Sequence, residues 1–237
     1  MAAFDDLITL QTHDTAVDRL RHRRVSLPER AELTQLAAAR ADLEAKLAEA
    51  AARRDEVLRQ ERRLDDDVRR LEAKAKAEDQ RMYSGTVSSP KELQAMQSEI
   101  ESLRRHARQL EDEELEVMEG REALDAEVAE VEAAVGGAQA EIERLSGTIA
   151  ALEAEIDAEL AVEEAARDGV LPNIPAATLG LYEQIRTDNR GVGAARLVGS
   201  TCQACHLALP ATEVDRIRHL RADELVRCDH CGAILVR

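Results

Sequence analysis

Residues 93–156 read LQAMQSEIESLRRHARQLEDEELEVMEGREALDAEVAEVEAAVGGAQAEIERLSGTIAALEAEI. From Leu93, positions spaced alternately by three and four residues run unbroken to Ile156, and seventeen of these nineteen positions are Leu, Ile, Val, Met or Ala. Only Glu114 and Arg121 interrupt this apolar seam. An apolar repeat of about 3.5 residues specifies a left-handed supercoil, because a straight helix of about 3.6 residues per turn would rotate its seam away from a partner helix. The stretch therefore predicts one helix of a coiled coil.

A second seam of the same kind runs from Leu33 to Met82. Polar residues interrupt it at Arg40, Arg54, Glu61 and Glu78. Between the two seams the chain is rich in turn-forming residues, and Ser89, Pro90 and Glu92 have the pattern of a capping box that begins a new helix. Two seams joined by a turn predict an antiparallel hairpin within the chain.

The predicted order of elements is a short helix of about residues 5–25, a long helix to about residue 80, a tip loop of about residues 82–89 and a return helix to about Asp168. Charge favours antiparallel pairing, because residues 1–81 have a net charge of −1 and residues 82–168 one of −16. A tip near residue 85 would place residue i opposite about residue 170 − i. We therefore expect Asp65, Asp66 and Asp67 to lie near Arg104 and Arg105. We also expect Arg53, Arg54 and Arg59 to lie near the acidic run 111–119. Such exposed pairs would determine the register of the hairpin more than its stability.

Four cysteines near the end of the chain form the pairs Cys202–Cys205 and Cys228–Cys231. A two-residue spacer lets both sulfurs of a tight turn point toward one metal ion, and two such pairs match the tetrahedral four-thiolate site of structural Zn²⁺. Short alternating apolar segments flank both pairs, as expected of the strands of a zinc ribbon. We predict one structural zinc ion as the cofactor, bound by these four cysteines and supplying most of the folding free energy of the ribbon.

Two other interpretations of the cysteines are weaker. Redox-active C-x-x-C sites usually occur singly within a βαβ pattern, which this sequence lacks. His206 or His230 would be a substitute ligand, but four cysteines already complete the zinc site. A complete site leaves no open position for a hydrolytic water molecule.

The predicted fold class is mainly α, a long antiparallel coiled-coil hairpin followed by a small C-terminal zinc ribbon. The hairpin takes residues 1–168, and residues 169–237 form a linker helix of about residues 176–188 and the C4 zinc-ribbon domain. Residues 169–237 have a net charge of +1 with the thiols neutral, so the acidic character of the chain lies in the return helix.

Composition argues against an enzyme with a deep aromatic-lined pocket, because the chain has one Phe, two Tyr and no Trp. No stretch approaches the ~20 apolar residues that cross a bilayer, and the first residues lack the features of a signal peptide. We therefore expect a cytoplasmic protein without a membrane partner. The histidines of the helical region, His13, His22 and His106, are expected to be solvated.

Several motifs together resemble a known family. They are Ser89-Pro90-Lys91-Glu92-Leu93 at the start of the return helix, Leu181-Tyr182-Glu183, and the cysteine-containing segments 199–210 and 228–235. Over essentially its whole length the chain resembles the bacterial C4-type zinc-ribbon proteins with an N-terminal coiled-coil hairpin. Studied relatives in flagellated and chlamydial bacteria are regulatory adaptors that bind the sigma factor of the nitrogen-regulation class, and one also binds a flagellin transcript. The resemblance implies a cytoplasmic regulatory binding protein and leaves its partner open.

Two functions follow as hypotheses. The first is a non-enzymatic regulatory adaptor that binds a protein of the transcription or translation machinery through the coiled-coil rod and the ribbon. The alternative is RNA binding by basic residues of the C-terminal region, since phosphate contacts dominate nucleic-acid affinity. The candidate contacts are Arg186, Arg190, Arg196, Arg216, Arg218, His219, Arg221, Arg227 and Arg237. Acidic residues are interleaved with them and aromatic residues for base stacking are missing, so this signal is weak.

The tip loop provides a further candidate contact with a partner. Tyr83 is one of only three aromatic residues and lies at the predicted tip, where it either binds a partner or packs over the last core layer. The intramolecular hairpin satisfies both seams, so we expect a monomer rather than a four-helix dimer of hairpins. Polar residues in the seams also argue against the buried core that such a dimer would need.

Overall fold

The computed structural model describes residues 4–85, 87–221 and 224–237. Within these residues the helices are α1 (Asp5–Val25), α2 (Pro28–Tyr83), α3 (Pro90–Val170), α4 (Ala176–Asp188) and α5 (Ala211–His219), with a short 3-10 turn at Leu171–Asn173. The strands are β1 (Ala194–Val198), β2 (Thr201–Cys202), β3 (Val226–Arg227) and β4 (Ile234–Val236). Thr86 of the predicted tip loop lies outside the described residues.

The helix boundaries follow the sequence signals closely. Helices α2 and α3 begin at Pro28 and Pro90, where a proline at the first helical position loses no hydrogen bond. Helix α4 spans the residues predicted for the linker helix. The predicted fold class is confirmed, since α2 and α3 form a helical hairpin and the short strands lie in the C-terminal region with the cysteines.

Residues 33–144 form one compact unit, which contains most of the coiled coil. Its most deeply buried apolar side chains are all seam positions, Ala50, Val68 and Ala75 on α2 and Ile100, Ala107 and Val128 on α3. Two polar interruptions of the seams satisfy each other, because Nη1 of Arg121 lies 2.8 and 2.9 Å from the two carboxylate oxygens of Glu61. A pair of this kind fixes the register of two helices more than it stabilises them.

The register differs from the one expected from the charge pattern. Arg53 contacts Glu127 at 2.5 Å rather than the acidic run 111–119, and Arg104 pairs with Asp79 at 3.6 Å. Only four residues of α2 follow Asp79, whereas fourteen residues of α3 precede Arg104. At the tip of the hairpin, the first turns of α3 therefore extend past the last residue of α2. The expected register was wrong because it assumed that the two helices end level at the tip.

The second compact unit combines both ends of the chain, residues 4–32 and 145–237 among those described. At its centre is a four-stranded sheet with the order β2-β1-β4-β3. Strands β1 and β4 are parallel, and the two outer pairs are antiparallel. The predicted domain boundary at residue 168 was placed where the coiled-coil sequence pattern ends. The second compact unit does not follow that boundary, because it also contains the last turns of the coiled coil and the whole of α1.

The two faces of the sheet have different cores. Ala194, Ile234 and Val236 face a cluster formed with Leu7 and Leu10 of α1 and with Tyr182 and Ile185 of α4. Ala195, Leu235 and Val226 face the cysteines and Val214 and Ile217 of α5. This alternation is the two-residue period of a strand that is covered on both sides. The sheet therefore joins α1 and α4 on one face to the cysteine site on the other.

Candidate zinc centre and its surroundings

The four cysteine sulfurs form a compact cluster within the C-terminal region. All four Sγ atoms lie within 4.8 Å of one another. The distances from Cys202 to Cys231 and from Cys205 to Cys228 are both 3.9 Å. A tetrahedron with a Zn–S distance of about 2.3 Å has sulfur–sulfur edges of about 3.8 Å. The sulfur positions therefore fit one tetrahedral Zn²⁺, and the predicted C4 zinc ribbon with one structural zinc is confirmed.

Two tight turns hold the sulfurs in this geometry. In the first, the N–H of His206 donates to the carbonyl of Cys202 at 2.8 Å, and in the second the N–H of Gly232 donates to the carbonyl of Cys228 at 2.8 Å. The residue after the second cysteine of each turn has a positive φ, 58° at His206 and 75° at Gly232. Glycine adopts this conformation without strain, which explains Gly232.

Burial and backbone donors act oppositely on the cysteine thiols. Burial raises the pKa of Cys202 and raises that of Cys231 to about 12, whereas the backbone N–H of Leu207 lowers the pKa of Cys205. Backbone N–H groups also donate toward the sulfurs of Cys202 and Cys231. A bound zinc ion deprotonates coordinating thiols, and these N–H groups then stabilise the thiolates.

Neither histidine beside the cysteines belongs to this cluster. The four cysteines are the only group of three or more potential metal ligands found together among residues 4–85, 87–221 and 224–237. His206 and His230 are both exposed, as expected for residues outside the metal site. With four protein ligands the site is closed, as in structural zinc sites.

Several of the predicted RNA-contact arginines bond to carboxylates of their own chain. These pairs are Arg186 with Asp18 at 2.6 Å, Arg196 with Asp5 at 3.2 Å and Arg216 with Glu213 at 2.5 Å. Arg186 is also largely buried, with 19% of its side chain exposed. These three side chains are committed to intramolecular contacts, which sequence alone did not reveal.

Other basic residues among the predicted RNA contacts lie against backbone carbonyls. Arg227 donates to Gly232 at 3.1 Å, and Arg237 donates to Ile217 at the end of α5 at 2.6 Å. His219 lies 2.8 Å from the carbonyl of Asp215. Arg190, Arg218 and Arg221 are exposed. At least six of the nine candidate side chains therefore already contact groups of their own chain.

Three large apolar side chains with exposed surfaces lie in regions that the sequence marked as candidates for binding. Tyr83, the last residue of α2, is 78% exposed, so it does not pack over a core layer. Val198 at the end of β1 is 58% exposed, and Leu207 of the first cysteine turn is 50% exposed. Single exposed apolar side chains are common on protein surfaces, so these three are candidates for contact with another molecule because of the regions in which they lie.

A buried polar cluster that the sequence did not predict lies beside the sheet. Asp14 of α1 is 2% exposed, accepts a hydrogen bond from the hydroxyl of Tyr182 at 2.6 Å and pairs with Arg167 at 2.7 Å. Gln11, one turn earlier on α1, accepts a hydrogen bond from the N–H of Gly193 at 2.7 Å. The only sequence signal for this cluster is the pair of polar residues, Gln11 and Asp14, one turn apart on the apolar face of a short helix.

The arrangement of hairpin, linker helix and four-cysteine ribbon matches two family models. A CT398-like coiled-coil hairpin domain matches residues 10–190, and a C4-type zinc ribbon domain matches residues 201–235. The chain belongs to the CT398-like coiled-coil hairpin family. The family resemblance predicted from the sequence is thereby confirmed.

Similar proteins from mycobacteria match the chain over nearly its whole length. An uncharacterised protein of Mycobacterium tuberculosis is 30% identical over 98% of this chain and 94% of its own length. A solved structure from Mycobacterium smegmatis is also 30% identical, with a TM-score of 0.86 over 99% of this chain and 97% of the other. CT398 from Chlamydia trachomatis shares the fold, with 17% identity and a TM-score of 0.67 over 99% and 97% of the two chains.

Within the described residues, no helix is both long enough and apolar enough to span a membrane.

Proposed function

We propose that this chain is a non-enzymatic, cytoplasmic regulatory adaptor that binds a protein of the transcription or translation machinery through its coiled coil and its zinc ribbon. The family match supports the architecture of such a protein. A closed four-cysteine site gives zinc a structural rather than a hydrolytic role.

One observation favours protein over RNA as the partner. Arg186, Arg196 and Arg216 are neutralised by carboxylates of the same chain, and Arg227 and Arg237 are held by backbone carbonyls. An RNA strand would have to displace these contacts before gaining its own. Affinity for RNA comes mainly from cations that are free to replace the counterions of phosphates.

Exposed apolar side chains supply the contacts that a protein partner would use. Near the first cysteine turn, Val198 is 58% exposed and Leu207 is 50% exposed. Tyr83 is exposed at the end of α2. Interfaces between proteins concentrate their binding energy in a few such aliphatic and aromatic anchors.

Affinity capture tests this proposal. The tagged, zinc-loaded chain is used to capture partners from lysate of its own organism at physiological salt, with half of the sample treated with nuclease. We expect the same few proteins from both halves, and their loss when Val198 and Leu207 are replaced by Ser. A matched control replaces Val25 and Val162, which are each 68% exposed, by Ser. Captured material that disappears with nuclease would instead support RNA binding.

A further inference from the structure

A groove runs along one side of α1, between this helix and the segment 190–198. It consists of two adjoining cavities of about 480 and 650 Å³, which share Thr15, Arg19 and Val192 in their walls. We call it the α1–β1 groove. Along α1 it extends from Ile8 to Ser26, which is about 27 Å of helix and the length of about eight extended residues.

One end of the groove is basic. Arg19, His22 and Arg23 of α1 and Arg190 of the loop before β1 line the first cavity, and all four are exposed. Over residues 4–85, 87–221 and 224–237, none of these four side chains has a hydrogen-bond or ion-pair partner. In a chain with a net charge of −16, three unpaired arginines in one cavity are a local exception.

The other arginines near this part of α1 behave differently. Arg21 pairs with Glu164 at 2.7 Å, and Arg24 pairs with Asp157 at 2.8 Å. The one carboxylate in the wall of the basic cavity, that of Asp18, already accepts a hydrogen bond from Arg186 at 2.6 Å. Among the described residues, the arginines of the groove therefore have no carboxylate partner, although their neighbours Arg21 and Arg24 on the same helix have one.

The other end of the groove has a mixed wall and adjoins the first cysteine turn. Gln11, Thr12 and Gln203 lie there beside the aliphatic residues Ile8, Ala16 and Ala204, and Val198 presents an exposed side chain at its edge. The aliphatic side chains suit aliphatic groups of a ligand. Arg196 lies in the same wall but is paired with Asp5, so it does not extend the basic end.

This division of charge favours a peptide over RNA. An RNA strand has a phosphate at every nucleotide and is bound by cations spaced along it and by aromatic stacking platforms. Among the described wall residues there is no Phe, Tyr or Trp, and the unpaired arginines line the first cavity, with Arg19 at its junction with the second. A peptide with acidic residues next to aliphatic ones matches both ends of the groove.

We propose that the α1–β1 groove binds an extended acidic peptide of a partner protein, with carboxylates at Arg19, Arg23 and Arg190 and aliphatic side chains between Ile8 and Val198. This inference rests on the proposed function, because it specifies the chemistry of the partner that the adaptor binds. Charged hydrogen bonds from guanidinium groups to carboxylates supply specificity at one end, and apolar burial supplies contact area at the other.

A peptide selection tests the groove directly. A random library of 12-residue peptides is selected on the immobilised, zinc-loaded full chain, and fluorescein-labelled peptides from the last round are titrated by anisotropy. We expect enrichment of Asp and Glu adjacent to Leu, Ile or Val, and weaker binding at higher salt. The absence of any enriched peptide, or enrichment of basic peptides, would overturn the inference.

Variants assign the binding to the groove. The triple variant Arg19→Glu, Arg23→Glu, Arg190→Asp should weaken binding of a selected peptide at least 10-fold. The control variant Arg62→Glu, Arg69→Glu, Arg70→Glu changes the net charge equally on the exposed surface of α2 and should change binding less than 2-fold. If the groove variant loses zinc or helix content, the neutral substitutions Arg19→Gln and Arg23→Gln replace it. Equal effects of groove and control variants contradict the proposal.

Two further measurements separate the inference from the proposed function. A labelled 12-nucleotide poly-uridine RNA is titrated in parallel, and RNA binding that only the groove variant loses would assign the groove to nucleic acid. The groove variant is also used in the lysate capture. If it retains the protein partner, the adaptor function stands and the groove inference fails. If the wild-type chain captures no protein but binds selected peptides through the groove, the groove inference stands without the adaptor.

Discussion

The hydroxyl of Tyr182 donates a 2.6 Å hydrogen bond to Oδ2 of Asp14, a residue 168 positions earlier in the chain. Both side chains are almost completely buried, and the other oxygen of Asp14 accepts a 2.7 Å hydrogen bond from Nε of Arg167. A buried carboxylate is tolerated only when it is paired and hydrogen-bonded, and Asp14 meets both conditions. This contact fixes α1 against α4 and the end of α3.

Removing the charge of Asp14 should therefore destabilise the protein strongly. We expect Asp14→Asn to lower the free energy of unfolding by about 3 kcal/mol, because the buried arginine contact loses its partner charge. Urea unfolding followed by circular dichroism measures this change. The control is Asp188→Asn at an exposed position on α4, where a surface substitution should stay within about 0.5 kcal/mol. Similar stabilities of the two variants would refute the assigned role of Asp14.

The phenol of Tyr182 should resist ionisation for as long as the fold persists. Burial, followed by the hydrogen bond to Asp14, raises its pKa well above the ordinary value of about 10. The unfolded chain loses this proton above pH 10 and the native state keeps it, so stability that is complete below pH 10 falls as the pH rises, by up to about 1.4 kcal/mol per unit.

The two tyrosines and the lack of tryptophan make this titration easy to observe. In a Tyr83→Phe variant, phenolate absorbance at 295 nm reports Tyr182 alone. We expect it to develop only together with the loss of helical circular dichroism. Phenolate absorbance that rises while the helices remain intact would show that Tyr182 is not protected.

Gly193 should not tolerate a side chain. A Cβ at this position would lie 2.6 Å from two ring carbons of Tyr182 and 2.8 Å from its carbonyl oxygen, closer than real Cβ contacts. We expect Gly193→Ala to lower the melting temperature, since overpacking costs about 1–3 kcal/mol. Gly180→Ala is the matched control within α4, where nothing lies within 4 Å and the helix propensity of alanine should raise stability by about 1 kcal/mol. A Gly193→Ala variant as stable as Gly180→Ala would contradict the packing.

Zinc removal should unfold the ribbon and spare the coiled coil. The core around the cysteines is small, so metal binding supplies much of its folding free energy. We expect a chelator or Cys205→Ser to abolish zinc binding while most of the helical signal remains. His206→Asn should retain one zinc per chain by elemental analysis, because asparagine tolerates the positive φ at that position. Loss of zinc in this variant would assign a ligand role to His206.

The end of α2 should contribute to partner binding without contributing to stability. Tyr83 is 78% exposed, so its replacement removes little buried area. We expect Tyr83→Ser combined with Val87→Ser to abolish partner capture while helix content stays unchanged. An unaltered set of captured proteins would dismiss the tip as a binding site.

Sequence periodicity predicted the helices well because each boundary has a local cause. Pro28 and Pro90 favour a helix start because the fixed φ of proline suits the first helical position and its missing N–H costs no hydrogen bond there. A seam of apolar residues identifies the buried face of a coiled coil before any partner is known. The zinc site was predictable for the same reason, since the spacing within each cysteine pair sets the turn that holds both sulfurs.

The register and the polar cluster depend on distant parts of the chain. A tip near residue 85 with both helices ending level predicted Arg53 opposite residues 111–119. Arg53 pairs with Glu127 instead, because α3 extends past the end of α2 at the tip. From its sequence context, Asp14 is expected to be solvated like most acidic residues. It is buried because Tyr182 and Arg167, which are distant in sequence, pack against it in the folded protein. The ion pairs of Arg186 and Arg196 were not predicted for the same reason, because their partners are distant in sequence.

The unit built from both ends of the chain has a consequence for synthesis on the ribosome. Leu7 and Leu10 of α1 pack on Ile234 and Val236, which are translated more than 220 residues later. At about 5–20 residues per second, α1 therefore waits roughly 10–45 s for its partners, while residues 33–144 are already free to fold. During that interval the part of the apolar face of α1 that β4 covers is open to chaperones, whereas Tyr182 and Ile185 of α4 are translated earlier and cover the rest.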